Sequence, residues 1–325
     1  MPQQPLSLRS TAVTRSDLAM SVAIVSFNTR DVLADCVASV LAAGPERVVV
    51  VDNASSDGTV EMLRDRFPGV DVIANAHNRG YGAAANQGVA ACETSAVLIL
   101  NSDARISSDS LDRLTDYLVT HPSAAVVGPR LSNPDGTLQR STFPFPCALD
   151  VVMAETGLHL LVGRLPWVRD WFLRTWSHDA ARRVPWVLGA ALAIRTSAFD
   201  AVNGFDESYF LYSEEVDLCR RFASAGYEVH YAPVTSVVHL GGESTRAAAD
   251  GMLHERFASR VRYLRSHESR AKAMRALVSL EIVVVGRLLR DGIRMCIPRG
   301  DERRQVRASF ELWRTLLADR ALWRA

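Results

Sequence analysis

Along the first 130 residues, short apolar runs alternate with stretches whose apolar positions recur at helical spacing. Ser21 to Phe27 (SVAIVSF) is β-rich, and Asn28 and Thr29 cap a helical pattern of Val32, Val37, Val40 and Leu41. A second unit starts at Arg47 to Val51 and passes the turn Asp52 to Gly58. It continues through a helix to Phe67 and a strand from Val70 to Ala74. A third follows the turn-rich Asn75 to Gly82, with an Ala-rich helix to Cys92 and a strand from Ala96 to Leu100. Repeated strand–helix units predict an α/β fold, with a mostly parallel sheet covered by helices on both faces.

Beyond a helix to His121 and a short strand from Ala125 to Gly128, the chain changes character between Ser132 and Pro185. Pro134, Pro144, Pro146, Pro166 and Pro185 stand there among Trp167, Trp171 and Trp176. Such a partly helical excursion is either a binding surface or an insertion packing its own cluster. Regular patterning returns at Trp186 to Arg195, in a helix near Ser213 to Ala225, and in the segments Val229 to Ala232 and Thr235 to Leu240. The predicted division is a loose leader at 1–20, a body at 21–255 and a basic helical tail at 256–325. The body splits into halves at about 21–130 and 131–255.

Composition narrows the classes. With 325 residues, 48% hydrophobic and 22% charged, the chain buries a large core. Its 37 basic and 36 acidic residues exclude nucleic-acid binding driven by net charge. The charge is unevenly placed. From Arg256 to Ala325 there are 17 basic and 7 acidic residues, a net of +10, so the preceding body carries −9. Five scattered cysteines without a CxxC pair suggest neither a zinc site nor a disulfide framework, and point to a reducing compartment. The leader lacks the apolar run of a signal peptide. The stretch Ala276 to Leu289 is too short, and too charged at Glu281 and Arg287, to span a bilayer.

In open α/β sheets, ligands bind beyond the carboxyl ends of strands. Three polar sites fall there: Asn28, the pair Asp52 and Asn53, and Asn101-Ser102-Asp103. Each alone can be a cap or an Asx turn, whereas three at one sheet edge favour a shared site. A carboxylate on a tight turn after a buried strand, such as Asp103, suits a hard divalent cation.

These and further segments resemble the family 2 glycosyltransferases, inverting enzymes of the GT-A fold, and most their bacterial rhamnosyltransferase branch. The matching stretches are VAIVSFN, VVVVDNASSDGT, NRGYGAAANQG, LILNSD, GAALAIRTSAFDAVNGFDESYFLYSEEVDLCRR and VVHLGG, in the family's order, over about Ser21 to Tyr263. The resemblance implies a GT-A three-layer α/β/α sandwich and a nucleotide-diphosphate sugar donor. Asn28, Asp52, Asn53, Arg79, Gly80, Asn101 and Ser102 would surround the nucleotide-sugar, with glycines permitting its close approach. Asp103 and His239 would hold Mg²⁺ or Mn²⁺, although Asn101 stands where the family's metal motif usually begins with Asp. Ser244, Thr245 and Arg246 would help hold the diphosphate. The base would be the second acid of a Glu-Asp pair, here Glu215, with Glu214 as the alternative; Asp217 reads as a helix salt-bridge residue. Trp186 and Asp206 would form the acceptor side, a structural turn being the competing reading for Gly204 to Asp206.

The expected reaction is transfer of a sugar, rhamnose from dTDP-rhamnose, to a glycan or lipid-linked saccharide in cell-surface polysaccharide synthesis. UDP- or GDP-sugars are the alternative donors. A nucleotidyltransferase would want a basic phosphate loop after the first strand, which SFNTRD is not, and Lys272 is the only lysine. An inactive carbohydrate-binding protein would be expected to lose the acids that are present here. The expected place is the cytoplasm, at the cytoplasmic face of the inner membrane. The basic tail would meet the membrane surface, or else pack on the acidic body or form a homodimer contact.

Overall fold

The computed structural model describes residues 15, 18–156, 161, 165, 176–241, 249–296 and 302–323. Its first half follows β1 (Met20–Ser26), α1 (Arg30–Ala42), β2 (Val48–Asp52), α2 (Thr59–Arg66), β3 (Asp71–Ala74), α3 (Tyr81–Cys92), β4 (Ala96–Asn101), β5 (Ala104–Arg105), α4 (Ser110–Thr120) and β6 (Ala124–Ser132). Short strands β7 (Leu138–Gln139) and β8 (Thr142–Phe143), helix α5 (Ala148–Thr156) and β9 (Arg182–Arg183) lie on the Pro-rich excursion, and β10 (Trp186–Val187) follows it. Next come β11 (Ala191–Arg195), α6 (Thr196–Ala201), α7 (Glu214–Ser224) and β12 (Glu228–His239). The tail comprises α8 (Ala249–His267), α9 (Arg270–Met295), α10 (Glu302–Ala318) and α11 (Arg320–Trp323).

The main sheet runs β3-β2-β1-β4-β11-β6-β12-β5. Strands β3, β2, β1 and β4 are parallel, as the strand–helix repeats predict, and β6 pairs parallel with β12. β11 enters antiparallel between β4 and β6, so the sheet is mixed. The period-2 pleat divides the apolar runs between two layers. Val22, Ile24, Val48, Val50 and Leu98 meet α1 and α4 on one face, while Ala23, Val49, Val51, Val97 and Ile99 meet α3 and α7 on the other. Strand order reverses between β2-β1 and β4, which opens a crevice at their carboxyl ends.

Two segments expected apart, Val229 to Ala232 and Thr235 to Leu240, are one strand, β12. Its register against β6 shifts between Tyr231 and Ser236, around Pro233, because a proline without an N–H fits a sheet at such an irregularity. Likewise β6 runs on past Pro129 to Ser132.

The expected boundary at 255/256 falls inside α8. Helices α8 to α10 are packed onto the body through a third core cluster, in which Phe257, Val261, Leu277, Leu280, Val284 and Trp313 join Tyr209 and Val216. Arg260 also reaches buried Asp150 of α5 at 2.8 Å. No helix among the described residues is long and apolar enough to cross a membrane.

Candidate active site

A cavity of about 260 Å³ opens at the carboxyl ends of β1, β2 and β4. Of the residues singled out from sequence, Asn53, Gly80, Asn101, Ser102, Asp103, Glu214, Glu215 and His239 line it together. His239 arrives from 136 residues beyond Asp103 because β12 pairs antiparallel with β5, setting His239 opposite Ala104.

The chemistry of the Asp103–His239 pair follows from its hydrogen bonds. His239 Nδ1 lies 2.8 Å from Gln139 Oε1, which can only accept, so Nδ1 carries the proton. Nε2 lies 3.3 Å from both Asn101 Nδ2 and Asp103 Oδ1. An imidazole nitrogen and a buried carboxylate oxygen brought this close form a donor set that fits Mn²⁺ or Mg²⁺. No group of three or more His, Cys, Asp or Glu side chains suited to a metal ion occurs among the described residues. Asn101 at the position usually held by Asp has a definable effect: its amide orients the imidazole.

Glu214 and Glu215 open α7, where free helix N–H groups attract anions. Both are buried, each with one carboxylate oxygen lacking a hydrogen-bond partner. Burial, reinforced by the neighbouring Glu215, raises the Glu214 pKa well above the usual carboxylate range. Burial lifts Glu215 to about 7, opposed by backbone N–H groups that include Gly189 and Val216. Both shifts run the same way, because burial and mutual repulsion disfavour two negative charges on the pair.

A strained turn delivers the pair. Tyr212 and Ser213 both have positive φ, 68° and 65°, rare for non-glycine residues. Helix α8 braces both sides: Ser259 donates to the Leu211 carbonyl at 2.8 Å, and His267 Nε2 lies 2.6 Å from Asp217 Oδ1. Asp217 also binds Arg221 one turn on, the salt-bridge role expected of it. Gly80 makes its close approach to protein backbone: at φ +85°, an added Cβ would lie 2.4 Å from the Phe210 carbonyl oxygen.

Other expected residues lie off the cavity. Asn28 is exposed and its Oδ1 accepts from Ser56 N at 2.8 Å, joining two loops. Arg79 pairs with Glu207 at 3.3 Å. Asp52 is buried beside the lining residue Asn53; one oxygen accepts from Ser55 N and the other has no hydrogen-bond partner. Trp186 donates to the Pro144 carbonyl at 2.8 Å, and exposed Asp206 caps its own turn by accepting from Ser208 N. Ser244, Thr245 and Arg246 lie outside the described residues, as do Trp167, Trp171 and most of the leader. Sequence reasoning did not single out Leu188, Tyr212 or Met252 as lining residues. Tyr81, within the NRGYG stretch expected around the nucleotide, lines the cavity too, and its hydroxyl donates to the Gly189 carbonyl at 2.9 Å. Nothing in sequence marked Gln139 or Met252, which reach the site only through long-range packing.

The family model described as Glycosyl transferase family 2 matches residues 21–163, and that of Glycosyl transferase family group 2 matches 96–280. The chain belongs to glycosyltransferase family 2. It is 33% identical over 216 residues to the N-acetylglucosaminyl-diphospho-decaprenol L-rhamnosyltransferase of Mycobacterium tuberculosis, covering 62% of this chain and 68% of that one. Among solved structures, the Pyrobaculum calidifontis mannosyltransferase PcManGT, in complex with GDP-Man and Mn²⁺, matches with a TM-score of 0.56 at 15% identity. That match covers 94% of this glycosyltransferase and 87% of PcManGT. GalNAc-T7, solved with UDP, GalNAc and Mn²⁺, matches with a TM-score of 0.51 at 17% identity; 68% of this chain aligns with 43% of that one. Both likenesses support the GT-A fold.

Proposed function

We propose that this glycosyltransferase moves rhamnose from dTDP-rhamnose, with inversion, to a hydroxyl of a glycan or lipid-linked saccharide in cell-surface polysaccharide synthesis. The observation that carries the reaction class is the meeting of two buried, partly unpartnered glutamates with the Asp103–His239 pair in one strand-end cavity. The mycobacterial relative supports the choice of sugar and of a lipid-linked acceptor.

Glu215 takes the proton from the acceptor hydroxyl as that oxygen bonds to the anomeric carbon. The bond from that carbon to the diphosphate breaks on the opposite face, and the nucleoside diphosphate leaves with the electron pair. Glu214, kept protonated by burial and by its neighbour, avoids a second negative charge beside the base. Asp103 and His239 would hold a divalent cation, which when bound offsets charge on the leaving diphosphate. Asp52 would accept a hydrogen bond from the pyrimidine N–H through its unpartnered oxygen. In this reading residues 21–130 hold the donor and 131–255 shape the acceptor side.

Thermal unfolding with Mn²⁺ and each of dTDP-rhamnose, UDP-sugars and GDP-sugars tests the donor. The largest metal-dependent rise in Tm is expected with dTDP-rhamnose. A larger rise with a UDP- or GDP-sugar overturns the choice of donor, and a product of retained anomeric configuration overturns the mechanism.

A further inference from the structure

Helix α9 is apolar on two opposite sides, where a surface helix ordinarily has one apolar stripe. Its inner side buries Ala276, Leu277, Leu280 and Val284 in the third core cluster. On its outer side Met274, Val278, Ile282, Leu289 and Ile293 are 45% to 65% exposed. With successive residues turned by 100°, these five fall within a sector of about 100°. At the α-helical rise, the stripe runs about 28 Å along the axis. Apolar patches of this extent mark interaction surfaces.

The exposed charges of α9 are nearly all of one sign. Arg270, Lys272, Arg275, Arg290 and Arg294 are exposed on α9, against the single exposed acid Glu281; the helix's other acid, Asp291, is buried and tied to Arg290 and Ser309. A second copy docking symmetrically through this face would bring that cationic rim against itself. A negatively charged surface is complementary to it.

We propose that the outer face of α9 docks on an anionic lipid bilayer, lying in the headgroup plane with the apolar stripe at the acyl boundary and the arginines among lipid phosphates. For its use in the cell this rests on the reading of a lipid-linked acceptor, which it deepens by naming the surface that meets the membrane. Binding itself requires no acceptor, so the two can fail separately.

The test is sedimentation of the full chain with vesicles of phosphatidylcholine, alone or mixed with phosphatidylglycerol. Binding is expected to the mixed vesicles at low salt and to weaken as salt is added. The combined variant Ile282→Ser, Leu289→Ser, Ile293→Ser should lose about tenfold or more in vesicle affinity, with the thermal unfolding midpoint and metal-dependent donor binding unchanged. Arg275→Gln and Arg294→Gln should each lose about fivefold. The proposal is overturned if the full chain ignores phosphatidylglycerol vesicles at low salt, or if the serine variant binds them like the parent. It is also overturned if the parent is a dimer that the serine variant turns into monomers. Vesicle binding without turnover of any lipid-linked saccharide sinks the acceptor reading alone, and turnover of such a saccharide in detergent without vesicle binding sinks the docking face alone.

Discussion

The loops after β1 and β2 and the turn before α7 border the same cavity but differ in how they treat most of their polar groups. In the loops, Asn28 is bonded to Ser56, Asn53 is spent on Gly80, Asn75 and Arg79, and Asp52 accepts from Ser55 N while its second oxygen has no hydrogen-bond partner. At the head of α7, Glu214 and Glu215 each keep a buried oxygen without a hydrogen-bond partner, behind two residues at positive φ. Satisfied polar groups stabilise a fold, whereas orphaned buried acids cost stability and persist where their altered proton affinity is used. On the proposed mechanism, the contrast separates residues that shape the cavity from the glutamate pair that would act in it.

The largest expected effect that would break this contrast is on Glu215→Gln. Turnover, measured as nucleoside diphosphate release with acceptor present, should fall about 10³-fold with the donor KM nearly unchanged, because loss of a base acts on the transition state. Glu214→Gln, which mimics the protonated neighbour, should stay within about tenfold of the parent. The reverse ranking would assign the base to Glu214. Next, His239→Ala should weaken Mn²⁺ affinity, read by calorimetry, by about 10- to 100-fold, and Gln139→Leu should follow in the same direction by freeing the imidazole to rotate. Unchanged affinity in His239→Ala removes it from the metal site.

The pH dependence sharpens the comparison. Burial raises Glu215 from its ordinary 4.5 to about 7. The folded chain therefore holds more protons than the unfolded chain between those values. Stability from this group is complete below about pH 4.5 and is lost as pH rises through about 7, by about 3 kcal/mol at most. Turnover should move oppositely, rising through about pH 7 as the base ionises. Urea unfolding across pH should show the decline, and Glu215→Gln should flatten it. The smallest effect is expected at Asn28→Ala, about 1 kcal/mol of stability with turnover within about threefold of the parent. A large rise in donor KM there would place Asn28 at the donor and erase the distinction between the two regions.

Much of the strand-end side of the cavity was legible because its polar residues sit directly after apolar strand runs. VVVVD and AVLIL must be buried parallel strands, and the polar residues at their ends must then share one edge. The tail shows the opposite case. Its basic, helical character was visible, but the same apolar residues that suggested one membrane-facing side divide between two: Leu277, Leu280 and Val284 go to the core, Ile282, Leu289 and Ile293 to the surface.

Sequence by itself determined the strand–helix order, the strand-end position of Asp52, Asn101 and Asp103, and the acidic start of α7, since these follow from local periodicity and turn chemistry. Tertiary structure alone decided that β11 runs antiparallel, that β12 carries His239 to Asp103, that Gln139 sets the imidazole's proton, and that α8 braces the Tyr212–Ser213 turn. Those contacts join residues up to more than a hundred positions apart. Their geometry depends on strand register and on which helix face finds a core, and no local window of the chain contains either.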